Sequence, residues 1–186
     1  MAVRQPYRFT VEDYHRMGEA GILGTDDRVE LIEGQIVEMP PIDSLHAGTV
    51  NYLTTVFVRG LGDRAIVSTQ HPVRLSDISE PQPDLALLRP RSDFYRGSHP
   101  RPEDVLLLVE VADTSVEFDR SVKLPLCARV GIPDYWLVDL QRGVLEVYRS
   151  PQENRYVEVQ ELAAGARVAP ASLPDAELDV GEILGR

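Results

Sequence analysis

Two short apolar runs, "DLALL" at residues 84–88 and "VLLLVEV" at 105–111, constrain this chain more than any other feature. Each is nearly continuous in apolar residues rather than alternating, the pattern of a strand covered on both faces, so both are expected at the middle of a sheet. Each also carries an acid at one end. Asp84 follows a proline at the head of the first run, and Glu110 lies near the C-terminal edge of the second. If the strands are antiparallel neighbours, the two carboxylates meet at one rim. Two oxygen ligands on a rigid rim suit a hard dication such as Mg²⁺ (or Mn²⁺), which binds through one or two carboxylates and keeps several waters. A metal there would polarise a phosphodiester and lower the pKa of an attacking water.

The flanking sequence predicts the rest of an α/β domain, a mixed central sheet flanked by helices with a helix and a β-hairpin at the N-terminal end. "TVEDYHRMGEA" opens with Thr10 as a cap, has an acid three residues on, and is closed by Gly21, which predicts a short helix. "RVELIEGQIVEM" predicts two strands folded about Glu33 and Gly34. From a cap at Asp43 or Ser44, the spacing of Val50, Leu53, Phe57 and Leu61 predicts an amphipathic helix, with His46 on the same stripe. "RAIVSTQHPVRL" is β-rich, and His71, beside Pro72, is placed in that strand and read as structural. "DRSVKLPLCARVG" predicts a helix that stops at Gly131 and Pro133, with Pro125 kinking or shortening its first turns. "DYWLVDL" and "VLEVYRS" flank a second hairpin with Trp136 and Tyr135 on opposite faces, and "RYVEVQEL" adds an edge strand. The chain is expected to be one domain over 1–186, with a core of about 28–150 and a C-terminal strand and loosely specified tail over 151–186.

Composition narrows the class. At 186 residues, 43% hydrophobic and 26% charged, the chain has no apolar stretch of the length that spans a membrane. No secretory signal is read at the N-terminus, and the single cysteine, Cys127, excludes an internal disulfide framework, so a cytoplasmic location is expected. The net charge of −11 counts against a polyanionic partner, because phosphate binding usually leaves a basic footprint. Residues 89–101 soften this, with Arg89, Arg91, Arg96 and Arg101 against one acid, Asp93. That segment is read either as a substrate-binding loop or as a solvated one.

Lys123, thirteen residues beyond Glu110, has two readings. It points back over the rim and stabilises phosphorane charge, or it pairs with Asp119 as an i,i+4 couple on the helix surface, worth about 0.2–0.5 kcal/mol. Cys127 lacks a histidine partner in sequence and is read as a small core residue. The histidines and the cysteine show no zinc spacing.

The ordered series "PDLALL", "LLLVEVADTS", "DRSVK" and "GIPDYWLVD" resembles the Uma family of restriction-endonuclease-like proteins, a branch of the PD-(D/E)XK nuclease superfamily. The resemblance runs from about Glu30 to Tyr148 and implies a restriction-endonuclease-like core. It makes Asp84 and Glu110 the metal ligands. The superfamily lysine usually lies two residues after the second acid, where this chain has Ala112, and the resemblance carries that role to Lys123 on the adjacent helix. Glu30 or Glu33, and His46, fall where the family has polar residues. Asp113, Cys127 and Pro125 depart from the family pattern. The implied function is a metal-dependent endonuclease acting on DNA, with Arg89, Arg91 and Arg96 on the backbone and a homodimer as the assembly. The alternatives are a non-catalytic dimerising module of the same fold that binds a protein or nucleic acid, and a hydrolase of a small phosphate ester.

Overall fold

The computed structural model describes residues 6–24 and 26–186. Its centre is a six-stranded mixed sheet of order β3-β4-β5-β6-β7-β8, built from Ile66–Thr69, Leu85–Leu88, Val105–Ala112, Asp134–Asp139, Val144–Gln152 and Arg155–Leu162. The two leucine-rich runs are β4 and β5, antiparallel neighbours with Leu85 opposite Val109. Every residue of both is buried, which is why neither alternates. Only β5 and β6 pair in parallel, and the helical segment between them makes the crossover that parallel pairing requires.

Alternate residues of the central strands divide the core in two. On one face Leu107, Val109 and Trp136 pack against Val50, Leu53 and Phe57 of the helix α2 (Ser44–Leu61). On the other, Leu108, Tyr135 and Leu137 pack with Ile32 of the N-terminal hairpin and with Leu126, Cys127 and Ala128 of a crossover helix. Tyr135 and Trp136 thus lie on opposite faces, as the strand period of two requires.

The N-terminal helix α1 (Val11–Glu19) carries the expected capping box between Thr10 and Asp13. The hairpin of β1 (Val29–Ile32) and β2 (Gln35–Glu38) turns through Glu33 at φ 48° and Gly34 at φ 76°. Asp43 caps α2 by accepting from the amides of Leu45 and His46. The crossover runs through α3 (Val116–Phe118), a π-helical turn (Asp119–Lys123) and α4 (Leu124–Arg129). Pro125 sits in the first turn of α4, so it resets the helix rather than ending it.

Two expectations are corrected. His71 lies outside any strand, because β3 ends at Thr69 and an irregular segment follows. The tail is packed rather than loose: the ribbon of β9 (Arg167–Val168) and β10 (Leu178–Asp179) leads into α5 (Val180–Ile183), and Val168, Val180, Ile183 and Leu184 join the α2 face of the core. The buried Asp134 anchors it, accepting the Ala171 amide at 2.7 Å and Arg149 Nε at 3.1 Å. No described helix is long and apolar enough to cross a membrane.

Candidate functional site

The rim where β4 begins and β5 ends opens into a cavity of about 460 Å³. Its wall includes Glu30, His46, Asp84, Glu110, Asp119 and Lys123. Antiparallel pairing brings the two strand acids together, as the alternating register demands. Asp84 Oδ2 accepts the Val111 amide at 2.9 Å, and Glu110 Oε2 accepts the Asp84 amide at 3.4 Å. Each carboxylate therefore accepts from a backbone amide of the opposite segment.

Lys123 resolves the two readings of its role in an unexpected way. It is buried, 7% exposed, and its ammonium meets three carboxylates: Glu110 at 3.0 Å, Glu30 at 3.1 Å and Asp119 at 3.7 Å. It points to the rim and pairs with Asp119 at once, so the couple is a buried one and the weak surface value does not apply. Ala112, in the usual lysine position, shares the face of β5 that carries Glu110, and Lys123 comes to that face from the helix. Glu30 is held from the other side by the Gln82 amide at 3.1 Å, which ties the N-terminal hairpin to the segment before Asp84.

The electrostatics follow from this crowding. Glu30, Glu110 and Asp119 gather around Lys123, the one buried cation among the described residues, and Asp84 lines the same cavity. Burial pushes the Glu110 carboxyl well above the usual range; Lys123 opposes that rise, and Asp119, Asp84 and Glu30 add to it. Burial also raises Asp119, against Lys123 and the Ser115 hydroxyl that donates to it at 2.7 Å. Burial alone would depress Lys123, but Glu110, Glu30 and Asp119 outweigh it, and the ammonium titrates well above the ordinary lysine range.

His46, from the first turn of α2, brings Nε2 to 2.9 Å from Asp84 Oδ2. The approach is close but badly directed. Nε2 is buried without a hydrogen-bond partner, so proximity rather than a directed bond relates the two. The surplus of carboxylates, with Asp84 and Glu110 as oxygen donors at adjoining strand ends, suits a hard dication of the Mg²⁺ or Mn²⁺ type.

Other candidates lie elsewhere. Glu33 sits at the hairpin turn and pairs with Arg129 at 2.6 Å, outside the cavity; Glu30 is the glutamate of that segment that reaches it. The arginine loop leaves the far end of β4, and Arg89, Arg91 and Arg96 do not line the cavity. Arg89 Nε donates to the Glu103 carbonyl, Arg91 pairs with Asp93 at 2.6 Å, and Arg96 lies over the Phe94 ring. Arg28 is the arginine at the cavity wall, a position that no motif in the sequence marks. Asp113 lines the cavity, and Cys127 is buried in the core, where burial pushes its thiol up and away from the reactive thiolate.

A family model, Uma2, described as "Putative restriction endonuclease", matches residues 11–181. Among solved structures, a "putative nuclease belonging to DUF820" from Anabaena variabilis superposes with a TM-score of 0.75 at 17% identity, covering 95% of this chain and 98% of that one. At that identity the likeness is one of fold. No curated protein matches.

Proposed function

We propose, from the premise that the chain belongs to the Uma2 family, that the acid-lined cavity is the site of a metal-dependent endonuclease acting on DNA phosphodiester bonds. The observation that carries this reading is the pairing of Asp84 with Glu110 at the joint end of two buried strands, beside a buried lysine. Asp84 and Glu110 would hold Mg²⁺ or Mn²⁺, which when bound supplies Lewis-acid polarisation of the phosphodiester and a more acidic water.

The chain's own residues do the rest. Lys123 opposes the rise that burial imposes on the Glu110 carboxyl, and so favours the anion that a metal would need. Its contact with Asp119, at 3.7 Å the longest of the three, is the one released when a phosphate oxygen arrives. Nε2 of His46 lies beside Asp84 without a hydrogen-bond partner, a polar group free to engage a ligand that enters the cavity. Arg28 at the wall offsets part of the repulsion between an acidic cavity and a polyanion. A two-fold dimer would present two such sites to the two strands of a duplex, an assembly that light scattering on the purified protein reads directly.

The deciding assay is nicking of supercoiled DNA with Mg²⁺ or Mn²⁺, comparing the wild type with Asp84→Ala and Glu110→Ala. Metal-dependent nicking lost in both variants supports the reading. A wild type that stays inert on duplex, single-stranded and supercoiled DNA removes it, and the alternative takes its place: a non-catalytic module of nuclease fold. The position of Arg89, Arg91 and Arg96 away from the cavity is the observation that favours that alternative.

A further inference from the structure

We propose that His15, Glu80 and His99 form a second metal site, separate from the Asp84 and Glu110 rim and selective for a transition-metal dication of the Zn²⁺ class. The ligand atoms of the three residues lie within 4.8 Å of one another, although they come from α1, from the segment before β4 and from the loop after it. No short motif joins them. His15 and Glu80 are 65 residues apart, so no regular ligand spacing is visible in the chain.

The second observation is Glu80 itself. Its side chain is 1% exposed, yet only one of its oxygens is engaged, Oε1 at 2.6 Å from His15 Nε2. Oε2 is buried with no hydrogen-bond partner. A buried carboxyl group with one oxygen unpartnered is costly, and a cation shared with the two imidazoles would remove that cost. The donor is also rigid. The Glu80 amide donates to the Leu31 carbonyl at 2.7 Å, and α1 is fastened to the same region through the Val11 amide on the Asp77 carbonyl at 2.8 Å. The two imidazoles stand edge to face, their centroids 5.9 Å apart.

Donor chemistry sets the selectivity. Two imidazoles and a carboxylate suit Zn²⁺ and its neighbours, and three protein ligands leave a fourth position open. Mg²⁺ prefers oxygen and is a poor match. Arginines in the same recess weigh against a cation held by charge alone. Arg74 is balanced by Glu12 at 2.7 Å and Asp77 at 3.1 Å, but Arg96 and Arg101 also face the recess. Imidazole coordination survives this better than a purely ionic site would, and the same arginines make an anion the preferred fourth ligand. An occupied site would pin the loop 89–104 to α1, two segments that no strand pairing joins.

The test uses the full chain, stripped of metal and held in excess Mg²⁺ so that the rim is presented with its preferred ion. Zn²⁺ is titrated by calorimetry and Co²⁺ by visible absorption. One equivalent is expected, with the intense Co²⁺ bands of a four-coordinate site and slower proteolysis within residues 89–101. His15 and His99 are exposed, so His15→Ala and His99→Ala should fold, which circular dichroism checks. Each should weaken Zn²⁺ by more than about tenfold, whereas Asp84→Ala should leave it unchanged. No stoichiometric Zn²⁺, affinity unchanged in both histidine variants, or binding lost in Asp84→Ala instead would each overturn the site. The nuclease reading stands or falls separately, on Asp84 and Glu110.

Discussion

Replacing Lys123 by methionine keeps most of the side-chain volume and deletes the charge at the centre of the rim. At an effective dielectric of about 20, unit charges at the observed 3.0, 3.1 and 3.7 Å attract by about 5 kcal/mol each. Desolvation of the four ions offsets most of that sum, and removal of one partner from a buried ion cluster costs about 3–5 kcal/mol in practice. Against a total stability of about 5–15 kcal/mol this is severe, and for a chain of this size it corresponds to a fall in Tm of about 10 °C. The loss should depend on pH in a defined direction. Glu110 and Asp119 have folded pKa values raised above their unfolded ones, so the native state binds more protons. Their contribution is fully present below about pH 4 and is lost as pH rises through the folded values. Without the ammonium those values climb further, so the deficit of Lys123→Met should be small at low pH and grow as the pH rises. Urea melts of both proteins across that range measure it. A variant that loses less than about 1 kcal/mol at neutral pH, with no pH dependence, would refute the buried charge cluster, since that is the range of an exposed pair.

Three further outcomes follow from the same physics. Mn²⁺ affinity, measured by calorimetry, should keep rising with pH well beyond the value of about 4.3 at which an ordinary glutamate ionises, because the raised Glu110 must lose its proton before it can ligate; a flat profile would exclude it as a ligand. Asp134→Ala should destabilise by about 3 kcal/mol and expose the tail near Ala171 to protease, since Arg149, Trp136 Nε1 and the Ala171 amide all lose an acceptor; intact resistance would mean the tail is held otherwise. Gly34→Ala places a methyl 2.5 Å from Arg8 Cβ and 2.9 Å from Arg8 Cα at a φ of +76°, so a loss of about 2 kcal/mol or more is expected in thermal melts, and a neutral result would show that the hairpin turn yields.

Local chemistry explains which features could be read from the residues. The hairpin at Glu33 and Gly34, the cap at Asp43 and the stripe from Val50 to Leu61 depend on neighbours in the chain, and the structure has each of them. The Asp84 and Glu110 rim was legible because antiparallel pairing of two buried strands leaves few alternatives. The arginine loop could have been placed better from strand direction alone: Asp84 starts β4 and the loop leaves its other end, so the two lie at opposite edges of the sheet. Three things needed tertiary knowledge. Whether Asp119 and Lys123 form a surface pair or a buried one depends on what covers the helix, Glu30 reaches the cavity only through the path of the hairpin, and the tail is held by the α2 face of the core and by Asp134, both distant in sequence.

Pro125, the residue that looked most disruptive, accounts for how a helix supplies this lysine. A proline in a regular helix lacks the amide that would bond the carbonyl four residues back, here that of Ser121, and its ring crowds that carbonyl. The chain meets this with a wider turn over Asp119–Lys123, in which the Leu124 amide reaches back five residues to the Asp119 carbonyl. That turn begins at Asp119 and ends at Lys123, the two residues of the segment that are buried in the charge cluster. Val122 and Leu124 meanwhile pack against the core face that holds Leu126 and Cys127. The proline thus coincides with a change in helical register at the turn that carries both the acid and the base inward. Ala112 completes the arrangement, since a small side chain beside Glu110 leaves that face of β5 open to an ammonium arriving from the helix.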